Sequence, residues 1–220
     1  MLFDGDRPVE EGVGLPFPAA DRSICCATGE IADDLRQALP ANCFTFHLSP
    51  QTVHLLPVAI DYLTPHTLGP DRVAAACGAR HLYPGEACVV VDAGTCITID
   101  WLDADGVYHG GAILPGIGMK FRALHTFTAR LPLLECDVPQ PLPVTGRSTD
   151  ESIQAGVLAA TRYAVEGFVA HYRTLCPSAR LVFTGGDAPR LLSLGGLAAT
   201  EGRHEPHLVM IGLNEILKQQ

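Results

Sequence analysis

The 220-residue chain has no apolar run of the roughly 18–20 residues needed to cross a membrane. It has no basic cluster either: 15 Lys and Arg stand against 24 Asp and Glu, a formal net charge of −9. Binding to nucleic-acid phosphates needs clustered cations, so no nucleic-acid partner is expected. An anionic substrate would need a local pocket, not a general field. The eight cysteines include no C-x-x-C spacing, and Cys25 and Cys26 are simply adjacent. Reduced, largely buried thiols are expected, with no metal or redox centre built on them. No basic segment followed by an apolar one opens the chain, so a cytoplasmic location is expected. Repeats and low-complexity segments are absent. His204 and His207 fall in a loop-like stretch without further ligands and read as surface residues.

What is present is 47% hydrophobic residues, enough for one large domain or two small ones sharing a cleft. The organising stretch runs from Cys88 to Gly116. An apolar run, Cys88 to Val91, ends at Asp92, and Asp92-Ala93-Gly94-Thr95 forms a small turn. A second strand follows over Cys96 to Trp101, Asp105-Gly106 signals a hairpin, and a third strand covers Val107 to Leu114, interrupted by Gly110-Gly111. Gly94 lets a ligand approach the backbone, and successive turn N–H groups can hold an anion. Thr95 adds a donor, and Asp92 can hold a cation that accompanies phosphate. The plain alternative is a hairpin that favours Gly and Thr.

On either side the chain alternates strand and helix, as an α/β layer does. Residues 1–11 read as a strand, a turn at Asp4-Gly5-Asp6 and a second strand; residues 12–21 are a Gly/Pro-rich connection. A short buried strand over Ser23–Ala27, a helix over Glu30–Leu39 and a strand over Asn42–Leu48 follow. Pro70 suits a first helical position, and Asp71 then lies in the first turn, where the dipole favours an anion. Spacing alone reads Asp71 as a helix-start carboxylate and Arg72 as a solvated base. The small-residue helix over Val73–Ala79 can pack closely on a sheet. A helix is expected over Lys120–Thr128, then a Pro-rich loop over 135–147. Ser148-x-x-Glu151 is a capping box opening a helix to about Leu175, which explains Ser148 and Thr149 without any other role. Leu181–Phe183 is a strand running into Thr184-Gly185-Gly186, a turn that can approach a nucleotide. Leu208–Lys218 is an amphipathic closing helix.

Five segments in order resemble the type III pantothenate kinases. They are Tyr62-x-x-Pro65-x-x-Leu68-Gly69-x-Asp71-Arg72, Asp92-Ala93-Gly94-Thr95-x-x-Thr98, Gly110-Gly111-x-Ile113-x-Pro115-Gly116, Ser148-Thr149, and Thr184-Gly185-Gly186. The resemblance implies an α/β fold of two ribonuclease-H-like halves, with mixed sheets flanked by helices, in the superfamily of acetate kinase, sugar kinases, Hsp70 and actin. It places an N-terminal half over 1–86, a C-terminal half over 87–207 and a closing helix over 208–220. It implies ATP-dependent phosphorylation of pantothenate, with Mg2+ on the ATP, a monovalent cation (K+ or NH4+) and a homodimer. By position, Asp71 is the general base, and Tyr62, Gly69, Pro70, Asp71, Arg72 and Thr149 bind pantothenate, Thr149 from across the dimer interface. Gly94, Thr95, Gly185 and Gly186 bind ATP, and Asp92 holds the monovalent cation.

One departure stands out. The family opens with a strand carrying Asp-x-Gly-Asn-Thr, followed shortly by Lys, and residues 1–10 resemble the strand after it. The first strand of the N-terminal half is therefore expected to be missing. Either the start is internal to a longer protein, or this is a shortened relative that serves as a binding or regulatory protein.

Overall fold

A computed structural model describes residues 1–10, 20–27, 33–41, 43–46, 48–49, 52–135, 137–139, 141–196 and 200–219. The connection expected over 12–21 and the start of the helix expected over Glu30–Leu39 lie mostly outside these residues.

The central layer is a six-stranded mixed sheet. Its core is the expected meander: β6 (Cys88–Ala93), β7 (Cys96–Leu102) and β8 (Val107–Pro115), paired antiparallel. Two parallel strands, β9 (Arg180–Thr184) and β10 (Arg203–His204), extend it beyond β6. At the other edge β5 (Ala59–Ile60) pairs parallel with β8, giving the order β10-β9-β6-β7-β8-β5. Strands β6 to β10 alone make a three-stranded meander with two parallel strands beside its first member, the arrangement of a ribonuclease-H-like half. Two small sheets come earlier: an antiparallel hairpin of β1 (Leu2–Asp4) with β2 (Arg7–Glu10), and a parallel pair of β3 (Ser23–Cys25) with β4 (Cys43–Thr45). Residues of β3 are half-buried, not buried as expected; among the described residues β4 is its one partner strand. A short helix, α1 (Asp33–Ala38), lies between β3 and β4.

Strand β8 is continuous through Gly110-Gly111, where an interruption was expected. Gly110 takes φ +84°, and a Cβ on Gly111 would overlap the Ile99 carbonyl across the ladder. The glycines thus allow the strand to pass close to β7, and the register shifts between Asp100 and Leu102.

Strand alternation sends side chains to two separate cores. Val89, Val91, Ala93, Ile97, Ile99, Trp101, Leu181 and Phe183 face α3 (Ile117–Thr126) and the helical run after Ser148. That run is α4 (Thr149–Gln154), a π-helical turn over Ala155–Ala159, and α5 (Ala160–Leu175). Beside the wide turn, the Thr161 hydroxyl donates to the Val157 carbonyl at 2.5 Å and accepts from Lys120 Nζ at 2.7 Å. The capping box is present at Ser148, whose Oγ accepts the Glu151 N–H at 3.2 Å; Glu151 in turn accepts the Arg147 N–H at 2.6 Å.

The opposite face, with Cys88, Val90, Leu102, Tyr108 and Val182, is covered by α2 (Pro70–Leu82) and α7 (Leu208–Lys218). The small residues of α2 meet a helix as well as the sheet: a Cβ on Gly78 would overlap Leu208, and one on Gly212 would overlap Ala74. A further short helix, α6 (Ala188–Ser193), follows β9. Cys77 and Cys88 are buried, Cys96 is exposed, Cys25, Cys26, Cys43 and Cys176 are intermediate, and all seven are free thiols. No helix among the described residues is long and apolar enough to cross a membrane.

Candidate active site

Parity along three strands places a line of polar side chains on the α2 face. In β6 the residues flanking Asp92 point to the α3–α5 core, so Asp92 points to α2. Thr98 is its register partner on β7, Thr184 its partner on β9, and Asp100 follows Thr98 on the same face. Pro70 starts α2 as expected, with Asp71 in the first turn. Burial and the like charges of Asp71 and Asp100 push the Asp92 carboxyl up to about 6. Asp71, Asp92 and Asp100 therefore converge on one region, although 29 residues of sequence separate the first from the last.

Arg72 is not a solvated base. It is 6% exposed, and its Nε donates to both Asp100 oxygens at 3.1 and 3.2 Å, its Nη2 to Oδ1 at 2.5 Å. Tyr108 donates its hydroxyl to the same oxygen at 2.7 Å, and Tyr62 favours the charged form of Arg72 as the smallest of the causes acting on it. Burial works against the guanidinium's charge, but Asp100 outweighs it and raises the Arg72 pKa. Burial, then the Asp100 charge, pushes the Tyr108 phenol up as well. The Tyr62 and Tyr108 rings lie 6.4 Å apart at 44°. Sequence reasoning missed Asp100 and Tyr108. The available signal was an acid at an inward position of an otherwise apolar strand.

Gly69 is the N-cap of α2, and Asp71 Oδ1 lies over it: a Cβ there would stand 2.5 Å away. The base candidate's carboxylate folds back over the helix start, the position favoured for an anion.

The two glycine turns meet at the ends of neighbouring parallel strands. The Gly94 N–H donates to the Cys96 carbonyl at 2.9 Å, and the Gly116 N–H to the Thr95 carbonyl at 3.0 Å. A Cβ on Gly116 would overlap the Gly94 and Thr95 carbonyls, so α3 begins directly against this turn. The Asp187 N–H donates to the Ala93 carbonyl at 2.8 Å, tying the second turn to the first. Gly185 has φ +88° with its Cα against Ala93 and Asp92, whereas Gly186 faces open space. Thr95 is exposed beside them. The Gly94, Gly116 and Asp187 N–H groups are spent on holding the two turns together; the exposed Thr95 hydroxyl and the open space at Gly186 are what a phosphate group could approach.

Thr149 is not brought to this region. It lies exposed on a groove of about 730 Å3 lined by Leu124, Leu131, Gly146, Ser152 and Ile153 among others.

The family model for "Type III pantothenate kinase" matches residues 15–171. A type III pantothenate kinase from Christiangramia forsetii is 39% identical over 185 residues, covering 84% of this chain and 74% of that one. The chain belongs to the type III pantothenate kinase family. The family's reaction is ATP-dependent phosphorylation of pantothenate, the first step of coenzyme A biosynthesis. Type III pantothenate kinases from Cytophaga hutchinsonii and Phocaeicola vulgatus are 45% and 41% identical, over 60% and 74% of this chain. The matches span 56% and 65% of those two relatives' lengths. Among solved structures, a Campylobacter jejuni protein described as a Baf family transcriptional activator superposes with TM-score 0.60 at 25% identity. That likeness covers 86% of this chain and 79% of the other.

In a type III pantothenate kinase built this way, Gly185 has no substitute. Gly185→Ala is expected to destabilise the fold by about 1–3 kcal/mol, from the positive φ and the overlap with Ala93 and Asp92. Gly186→Ala, opening into free space, should change stability by less than about 0.5 kcal/mol. Denaturant midpoints of the two variants check this; equal midpoints would contradict it.

Proposed function

We propose that this chain transfers the γ-phosphoryl group of ATP to the primary hydroxyl of pantothenate, with Asp71 as general base. The observation that carries the reading is the convergence of Asp71 with Asp92 and the two tied glycine turns. Phosphoryl transfer asks the protein mainly for alignment and charge stabilisation. Gly94, Thr95, Gly185 and Gly186 supply the phosphate cradle, and Asp71 accepts the hydroxyl proton as the new P–O bond forms. Tyr62, Gly69, Pro70 and Arg72 line the pantothenate side, with Arg72 anchored on Asp100. The divalent metal carried on ATP neutralises phosphate charge, which a chain of net charge −9 does not do by itself.

The residues also suit a monovalent cation at Asp92. Thr98 Oγ1 is buried, has no hydrogen-bond partner and sits opposite Asp92 in register. A hydroxyl oxygen and a carboxylate crowded by two other acids form a donor set that a cation completes. The sign of the pH effect follows. Asp92 near 6 lies above its ordinary 3.8, so ionising it in the folded state opposes stability from about pH 4 upward, fully above about pH 6. A bound cation relieves that opposition. K+ should therefore raise Tm at about pH 7.5 and have little effect at about pH 5, where Asp92 is protonated. Equal K+ shifts at both pH values would remove Asp92 from the cation site.

Thr149 serves the site of a second copy in a homodimer. The exposure of Leu63 (101%) and Phe127 (85%) supports association, since such side chains gain from being covered.

The direct test is ADP release and mass detection of phosphopantothenate by the purified chain with ATP, Mg2+, K+ and pantothenate. Pantothenate-dependent release is expected; none from folded protein would overturn the assignment of activity to this chain.

A further inference from the structure

One side-chain cluster lies outside the proposed chemistry, at the β5 edge of the sheet. His109 of β8 bridges two acids: its Nε2 is 2.8 Å from Asp103 Oδ2 and its Nδ1 3.0 Å from Asp61 Oδ2. Asp103 is fixed at the neck of the β7–β8 hairpin, where its Oδ1 accepts the Val107 N–H at 2.8 Å. Asp61 directly follows β5, a strand of two residues held by only a few backbone bonds. An edge strand that short frays unless its end is tied. Three consecutive residues of β8 tie it. The Tyr108 carbonyl accepts the Asp61 N–H at 2.9 Å, and His109 holds the Asp61 carboxylate. Gly110 makes room for the next residue's ring: a Cβ there would stand 2.8 Å from Tyr62 Cε2.

We propose that His109 is a positioning residue for the pantothenate site: by bridging Asp61 to Asp103 it latches the end of β5 and so fixes Tyr62. The proposal rests on Tyr62 lining that site. An imidazolium donates from both nitrogens and satisfies both carboxylates; a neutral ring has a single N–H and must release one of them. The charged groups that act on the ring are Asp61 at the end of β5 and Asp103 in the hairpin; Arg80 of α2 reaches the same hairpin, where its Nη1 donates to the Ala104 carbonyl at 2.9 Å. The Asp103 hydrogen bond, against opposing burial and with help from Asp61, holds the imidazole's pKa above its ordinary 6.5. The latch is therefore closed at low pH and loosens as pH rises through that raised value.

The test is the pantothenate Kd of the whole chain by titration calorimetry, with Tm as a control. His109→Ala should weaken pantothenate about fivefold to tenfold, the loss expected from one positioning hydrogen bond, with ATP affinity unchanged. Wild-type pantothenate affinity should fall as pH rises through the raised His109 pKa, above 6.5, and His109→Lys, cationic throughout, should flatten that fall. Unchanged pantothenate affinity in His109→Ala, or an equal loss for ATP, overturns the proposal. Tyr62→Ala separates the two readings. If it weakens pantothenate while His109→Ala does not, the latch fails and the site stands; if neither does, or the wild type does not bind pantothenate, the assignment of Tyr62 fails and the latch with it.

Discussion

Asp71→Asn is expected to lower kcat by about 10²–10⁴-fold, the usual contribution of a positioned base, while leaving the fold intact. The substitution keeps shape and removes the proton acceptor. Little stability should be lost, because the Asp71 carboxylate makes no hydrogen bond to another side chain among the described residues and is only partly buried. It lies over Gly69 at the start of α2, free to face a substrate hydroxyl. Removing its charge also relieves Asp92, whose carboxyl Asp71 helps to push up. The Asp92 titration should consequently move down in Asp71→Asn, which NMR of the side-chain carboxyls would detect. Turnover within a few-fold of wild type would exclude Asp71 as the base.

Asp100→Ala is expected to be the most damaging single change to stability, by about 3–5 kcal/mol, because it leaves the Arg72 charge buried and unpaired. For a chain of this size that is a fall in Tm of roughly 6–20 °C. Tyr108 loses its hydroxyl acceptor in the same step. The control is the double replacement Arg72→Met with Asp100→Leu, which removes both charges and should recover most of the loss, since a buried pair is often no better than an apolar one. If the double variant is recovered in Tm but inactive, the pair acts on the site: it fixes the first turn of α2, the turn that carries Asp71, against β7. If Asp100→Ala unfolds with a midpoint like wild type, the pair contributes no net stability.

The elements that the sequence specifies most clearly are those decided within a few residues. Asp105-Gly106 demands a tight turn, and Gly106 takes φ +84° there. Pro70 fixes the start of α2, Ser148 with Glu151 caps α4, and Gly185 with φ +88° turns the chain after β9. The cradle and cation candidates were named from such short segments, because a glycine turn advertises its own chemistry; Asp71 as base came only from the family resemblance, since its spacing alone reads as a helix-start carboxylate.

Two things were not legible. The partner of Arg72 is 28 residues away on β7, and only the packing of α2 on that face joins them. Thr98 gains its interest from facing Asp92 across the ladder with no partner of its own, which no local pattern shows. The sequence by itself therefore determined the central meander, its turns and two of the three acids, Asp71 and Asp92. The tertiary structure alone decided which acids share a region, that Arg72 is buried in an ion pair and not solvated, and that Thr149 lies on a separate groove. The reason is that backbone turns are governed by neighbouring residues, whereas charge depends on what covers it. Parity puts Asp92 and Asp100 on one face of the sheet, and α2 and α7, brought together through Gly78 and Gly212, bury that face.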